Sequence, residues 1–137
     1  MLLFAVFIFG QPTAIITVSV SNIELNGSRI FVGLYDNESS FKLKSGAVDS
    51  VIIVPKEENL EVSLKNIFWG NYAVAVFQDI NNNGVLDSKT LNIPVEPVGI
   101  SNYPANGSAT PPSFKKAQFQ LRGDTLISIP LVLIKKN

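Results

Sequence analysis

Near the middle of the chain, residues 70–79 read Gly70-Asn71-Tyr72-Ala73-Val74-Ala75-Val76-Phe77-Gln78-Asp79, and a loop rich in Asn and Asp follows directly. Residues 72–77 form an apolar run that is shorter than a typical helix and has no polar residue at alternate positions. Such a run predicts a strand that other parts of the chain cover on both faces. We therefore start from a central strand that ends in a polar loop.

Alternation of apolar and polar residues predicts further strands at residues 16–21, 30–35, 48–54, 60–65, 114–121 and 125–134. Arg122-Gly123-Asp124 is interpreted as the hairpin turn between the last two strands, and Pro130 indicates an edge position or a bulge. Residues 36–46 predict a polar loop interrupted by Phe41, and no segment of ten or more residues has helical periodicity. We expect an all-β fold, a single two-sheet antiparallel sandwich of about seven strands.

Residues 78–113 are rich in Asn, Gly and Pro and show little periodicity. So long an irregular segment is uncommon inside a compact domain unless it is functional or held in place. We therefore expect some constraint to act on this segment, which begins at the polar loop.

The beginning of the chain predicts a division into residues 1–14, a signal peptide or its remnant, and residues 15–137, a single β-sandwich domain. The apolar run at residues 2–9 is shorter than the roughly 20 residues that span a bilayer, but it suits the apolar part of a secretory signal. Cleavage is expected after Gly10 or Ala14, and a first buried strand is the alternative interpretation of the run. No later segment is long enough to span a membrane. We expect an exported protein of the periplasm, the outer membrane surface or the extracellular space.

The composition excludes several classes of function. The 11 basic and 11 acidic residues give a net charge of zero without clustering, which disfavours binding to nucleic acid and electrostatic binding to membranes. The chain contains no Cys and no His, so the usual tetrahedral zinc sites, thiol nucleophiles and Ser-His-Asp triads are unavailable. Because disulfides are also absent, stability must come from packing, hydrogen bonds or a bound ion.

The loop after the central strand has the spacing of a calcium-binding loop. Its oxygen-bearing side chains stand at positions one, three, five and nine, namely Asp79, Asn81, Asn83 and Asp87. Gly84 permits a sharp turn and the carbonyl of Val85 can face the ion, as six to eight oxygen ligands require. We therefore predict a calcium site at this loop.

This predicted site departs from an EF-hand, because Thr90 replaces the bidentate Glu at position twelve and no helices flank the loop. Glu96 is the candidate for a third carboxylate ligand. With so few carboxylates, we expect a dissociation constant of about 10⁻⁴ to 10⁻³ M, the range of extracellular modules. The alternative is a metal-free turn, since Asn and Asp cap their own backbone and tolerate positive φ.

Four stretches carry a resemblance to a known family: Gly70-Asn71-Tyr72-Ala73-Val74-Ala75-Val76-Phe77-Gln78-Asp79-Ile80-Asn81-Asn82-Asn83-Gly84-Val85-Leu86-Asp87, then Ile93-Pro94-Val95-Glu96, Gly99-Ile100-Ser101-Asn102 and Pro111-Pro112-Ser113-Phe114-Lys115-Lys116-Ala117-Gln118-Phe119. They resemble the bacterial exported family called domain of unknown function 2141. The resemblance implies a transthyretin-like or immunoglobulin-like sandwich and a location in the cell envelope, but no activity. Gln78 stands where the family has His, so this chain lacks the group that would carry any role of that His.

Two function classes follow from these observations. The first is a non-catalytic binding module that recognises a glycan or an envelope protein through calcium-ordered loops. The second is a structural or assembly domain with a metal-free loop. Four aromatic residues could stack on sugars, although packing in the core is the commoner role of such residues: Trp69, Tyr72, Phe77 and Tyr103. Of these, we expect only Trp69 and Tyr103 near the surface.

We expect no catalysis. Asp79, Asp87 and Glu96 could be read as glycosidase carboxylates, but carboxylates placed among Asn residues suggest metal ligands instead.

Overall fold

The computed structural model describes residues 10–89, 93–103 and 111–134. Ten strands and two short helices make up this part of the chain, in the following order: β1 (Thr13–Ser21), β2 (Arg29–Tyr35), α1 (Glu38–Leu43), β3 (Asp49–Ile53), β4 (Leu60–Phe68), β5 (Gly70–Asp79), β6 (Ser88–Lys89), β7 (Ile93–Pro94), β8 (Val98–Ile100), α2 (Phe114–Ala117), β9 (Phe119–Leu121) and β10 (Thr125–Pro130).

The strands form the two layers of a sandwich. One sheet has the order β10-β1-β4, and the other has the order β3-β2-β5-β8 with β9 also paired to β5. β6 and β7 form a separate small ladder. These findings confirm the expected all-β, two-sheet sandwich. One pair differs from the antiparallel expectation, because β1 and β10 run parallel.

The core lies between the inner faces of the two sheets. Alternate residues of β1 point inward, so Ile16, Val18 and Val20 are fully buried while their neighbours are more exposed. They pack in one apolar cluster with inward residues from the second sheet, among them Ile30, Val32, Leu34, Val74 and Val76. Burial of these side chains is the main stabilising contribution in a chain without disulfides.

β5 is covered on both faces, as its sequence predicts. Tyr72, Val74 and Val76 belong to the core between the sheets, whereas Ala73 and Ala75 lie in a second cluster on the outer face. The small alanine side chains let the two helices pack closely against the sheet. Phe41 of α1 and Ala117 of α2 are buried in this second cluster.

α1 lies where the sequence predicts a polar loop, and this expectation is wrong. The side chain of Asn37 caps the helix by accepting a hydrogen bond from the Ser40 N–H at 2.9 Å. Phe41 is its buried anchor, with edge-to-face contacts to Tyr35 and Phe114. Six residues are too few to show a helical period. Beside the anchor, burial lowers the pKa of Lys44 to about 8.

The predicted hairpin around Arg122-Gly123-Asp124 is also wrong. β9 pairs with β5, and β10 pairs with β1, so this turn carries the chain from one sheet to the other. Residues 114–117, predicted as strand, form α2. Alternation indicates which face of a strand is buried, but it does not identify the partner strand. The edge position expected from Pro130 is confirmed, because β10 lies at the edge of its sheet.

The described part of residues 78–113 is less irregular than predicted. Gln78 and Asp79 complete β5, and β8 extends the same sheet by pairing with β5. Ser101 follows β8, and its buried hydroxyl accepts from the Val74 N–H at 2.9 Å and donates to the Ala117 carbonyl at 2.7 Å. The sheet and this serine therefore help to hold the segment in place.

The signal-peptide prediction falls mostly on residues 1–9, which lie outside the described residues, and it stays a prediction. Thr13 and Ala14, which the sequence division placed in the leader, begin β1, and Ala14 is buried. Over the described residues, no helix combines the length and the apolar character needed to cross a membrane.

Gly99 allows the two sheets to approach each other, and replacing it tests this packing. A Cβ at this position would lie 2.3 Å from Ile129 Cγ2 and 3.0 Å from the Pro130 carbonyl oxygen. We expect Gly99→Ala to lower the free energy of unfolding by about 1–3 kcal/mol through overpacking. The matched control is Gly123→Ala, whose Cβ would meet no atom within 4 Å. Urea unfolding of both variants measures the effect, and equal stabilities would contradict this account.

Candidate functional site

The candidate site is the loop that leaves β5 at its last residue, Asp79. In the β2–β5 ladder, Asp79 stands directly opposite Arg29. The carboxylate of Asp79 is fully buried, because the loop folds back over it. A buried carboxylate must be hydrogen-bonded or paired with a cation to be tolerated, and the loop supplies the donors.

The turn wraps around the Asp79 carboxylate. Its Oδ1 accepts from the Asn83 N–H at 3.1 Å, and its Oδ2 accepts from the Gly84 N–H at 2.7 Å. Asn82 and Gly84 adopt positive φ values of 54° and 83°, which bend the chain sharply enough to aim these N–H groups inward. The Asn82 N–H also donates to the Asp79 carbonyl at 3.1 Å.

The structure brings together the side chains of Asn81, Asn83 and Asp87. Asn81 Nδ2 lies 2.6 Å from Asp87 Oδ2, and Asn83 Nδ2 lies 2.8 and 2.9 Å from the two carboxylate oxygens. The spacing predicted side-chain oxygens of Asp79, Asn81 and Asn83 converging on an ion, and that arrangement stays a prediction. The groups facing Asp87 are amide nitrogens, whereas Asn83 Oδ1 accepts from the Val85 N–H at 3.1 Å. A half-turn of each amide would present its oxygen to Asp87 instead.

Glu96 lies at the loop, as expected, and contacts its backbone. Its side chain is almost completely buried. Oε2 accepts from the Ile80 N–H at 2.7 Å, and Oε1 accepts from the Asp87 N–H at 2.9 Å. The Val95 N–H donates to the Asp87 carbonyl at 2.9 Å. Glu96 thus clamps the two ends of the loop together, a role that the sequence did not reveal.

The donor set of the loop fits a hard cation in kind. It offers carboxylate and amide oxygens, which are the ligands that Ca²⁺ prefers. Asp79 uses three of its roughly four lone-pair positions for Asn83, Gly84 and Arg29. Within residues 10–89, 93–103 and 111–134, no group of three His, Cys, Asp or Glu side chains could hold a metal ion. Any cation would therefore depend on the amide oxygens.

Arg29 contributes to the site, although sequence reasoning did not single it out. Its Nη2 lies 3.4 Å from Asp79 Oδ2 and donates to the Asn82 carbonyl at 3.1 Å. The guanidinium also lies 5.6 Å from the centre of the Phe31 ring. Arg29 lies 50 positions before Asp79 in the chain. Only the strand register shows that the two residues are neighbours.

Gln78 is a second residue whose partners appear only in the structure. It is fully buried, and its amide joins the connection between β1 and β2. Its Oε1 accepts from the Glu24 N–H at 3.0 Å, while its Nε2 donates to the Glu24 carbonyl at 2.6 Å and to Ser28 Oγ at 2.8 Å. A polar residue that continues the inward alternation of β5 was the signal for such a role.

The four aromatic candidates do not form one platform. Tyr72 is buried and Tyr103 is half-buried, while Trp69 is 47% exposed, as expected for this residue. Trp69 precedes β5 and Asp79 ends it, so the ten residues of the strand separate them. At about 3.3 Å per residue, this distance is roughly 30 Å. Phe77 lies two residues before Asp79, stacked on Phe31 with ring centres 4.7 Å apart.

Replacing Glu96 tests whether it holds the loop. In Glu96→Gln the side-chain NH₂ group would face one of the two backbone N–H donors, so we expect a loss of about 1–3 kcal/mol in the free energy of unfolding. Hydrogen exchange of the Ile80 and Asp87 amides should accelerate. The control is Glu61→Gln, an exposed position on β4. If exchange at both amides is unchanged, Glu96 does not clamp the loop.

Comparison with known proteins places the chain in a family. Residues 18–128 match a family model described as an uncharacterized protein conserved in bacteria. No curated protein matches the chain, and no solved structure does. The expectation of a transthyretin-like or immunoglobulin-like topology therefore stays a prediction. Since the match covers most of the chain, the protein belongs to the bacterial family called domain of unknown function 2141.

Proposed function

We propose that this protein is an exported, non-catalytic binding module whose Asp79–Asp87 loop takes up a calcium ion weakly. The observation that supports the site is the convergence of Asn81 and Asn83 on Asp87, beside the buried carboxylate of Asp79. Four oxygen-bearing side chains around one turn exceed what a simple turn requires. The apolar run at residues 2–9 supports export.

In this proposal, Asp79, Asn81, Asn83 and Asp87 hold the ion, with the Val85 carbonyl as a further ligand. The two Asn amides would turn their oxygens inward, and their N–H bonds to Asp87 would be replaced by contacts with the cation. Glu96 is available as a ligand only through lone pairs that its two backbone N–H donors leave free. We expect a dissociation constant of about 10⁻⁴ to 10⁻³ M.

The surface beside the loop supports binding of a ligand. On the outer face of the larger sheet, Ile52, Phe31, Phe77 and Val98 stand in one row across four strands. Ile52 is 55% exposed, and the stacked rings of Phe31 and Phe77 are half-buried. An apolar strip next to a polar, ion-dependent loop suits a glycan or a protein of the envelope.

A second candidate function is that of a structural or assembly domain with a metal-free loop. It is favoured by the hydrogen bonds of Asp79 and Glu96, which already fix the loop backbone. β10 also lies at a sheet edge and exposes Leu126, and exposed edges can pair with other chains. The two candidates differ in whether calcium changes the stability of the loop.

A calcium titration distinguishes the two candidates. At ten times the dissociation constant, calcium should stabilise the purified chain by about 1.4 kcal/mol, which raises the melting temperature by about 4 °C. Asp87→Asn should abolish most of this rise. Asp49→Asn, which removes a carboxylate of β3 outside the loop, should retain the rise. Sodium chloride at equal ionic strength corrects for screening. A calcium concentration of 10 mM is about ten times the highest dissociation constant expected here. An unchanged melting temperature at this concentration would refute the calcium site.

A glycan-array screen tests the binding function. The wild-type chain is applied with calcium and with chelator, and Asp87→Asn is applied with calcium. We expect one glycan class to be retained only by the wild type in calcium, because the ordered loop forms part of the binding surface. A parallel pull-down from envelope extract covers protein ligands. If no ligand is retained in any condition, the structural alternative gains support.

A further inference from the structure

The loop already contains a cation of its own, the guanidinium of Arg29. Arg29 reaches both Asp79 and the carbonyl of Asn82, with distances of 3.4 and 3.1 Å from Nη2. Its backbone N–H also donates to Asn82 Oδ1 at 3.3 Å. One residue of β2 therefore contacts the first and the fourth positions of the loop.

The position of Arg29 is fixed by the sheet. It stands opposite Asp79 in the β2–β5 register, and its guanidinium lies over the Phe31 ring, which stacks on Phe77. Contact with an aromatic face favours a cation at this place. The side chain of Asp79 is fully buried, whereas that of Arg29 is 37% exposed. Because the guanidinium lies 3.4 Å from the buried carboxylate, it compensates the charge of Asp79.

We propose that Arg29 is the resident cation of the loop and that it sets the calcium affinity by competing with the ion for Asp79. This inference rests on the proposed calcium site. Calcium needs an oxygen of Asp79, whose Oδ2 already accepts from both Arg29 and Gly84. A bound divalent ion would then lie within several ångströms of a fixed positive charge, and the repulsion weakens its binding.

In this proposal, Arg29 also supports the shape of the loop when no calcium is bound. Removing the guanidinium would leave the buried Asp79 carboxylate with its two backbone N–H donors but without a compensating cation, which is destabilising. Arg29 prevents this for Asp79 whenever the ion is absent. The loop would thus exchange one cation for another, and its order would depend on at least one of them.

Arg29→Gln tests the proposal, with Arg29→Lys and Arg122→Gln as matched variants. In chelator, we expect Arg29→Gln to lower the melting temperature by about 5 °C or more, and saturating calcium to restore most of this loss. Its half-saturating calcium concentration should be about tenfold lower than that of the wild type. Arg29→Lys keeps the charge and should stay near the wild-type affinity. Arg122→Gln removes the same charge from a turn outside the loop and should change neither quantity.

The outcomes separate this inference from the proposed function. If wild type and Arg29→Gln respond at the same calcium concentration, the competition is refuted and the calcium site stands. If only Arg29→Gln responds, Arg29 is confirmed as the resident cation, and the calcium-dependent function of the wild type is refuted. If neither responds, both proposals fail. A melting temperature of Arg29→Gln in chelator equal to that of the wild type would also overturn the role of Arg29.

Discussion

β5 is buried on both faces, and the packing of both sheets and both helices follows from this burial. Its inner side chains, Val74 and Val76, complete the core between the two sheets, and its outer alanines require a second cover. The two helices provide that cover, although neither exceeds six residues. Their positions follow from the apolar surface left exposed by the sheet, because such a surface is stable only when it is removed from water.

The polar end of β5 extends this constraint to the candidate site. The strand continues into Gln78 and Asp79 without leaving the protein interior, so both polar side chains must find partners there. Gln78 joins the connection between β1 and β2, and Asp79 organises the loop. Glu96 acts on the same loop from the other side. Among the residues that the structure describes, no buried side-chain nitrogen or oxygen lacks a hydrogen-bond partner.

The loop is therefore held in two ways that carry different functional meaning. The carboxylates of Asp79 and Glu96 fix the backbone through N–H donors, which requires no ion. The side chains of Asn81 and Asn83 converge on the Asp87 carboxylate. The two Asn amides can present either nitrogen or oxygen. Calcium would act on this second group of side chains while the backbone frame persists. In the proposed calcium site, weak affinity is expected because Arg29 already balances the charge of Asp79.

The sandwich class, the double burial of β5 and the edge position of β10 could be predicted from the sequence, whereas the calcium site at residues 79–87 stays a prediction. These features depend on local spacing: a period of two along strands, and oxygen-bearing residues at alternate positions of a tight turn. The structure alone decided that β10 pairs in parallel with β1 and that β9 joins β5. It alone placed Arg29 against Asp79 and Glu96 against the loop backbone. Those choices depend on strand partners and register, which are set by the packing of residues far apart in the chain and leave no local pattern.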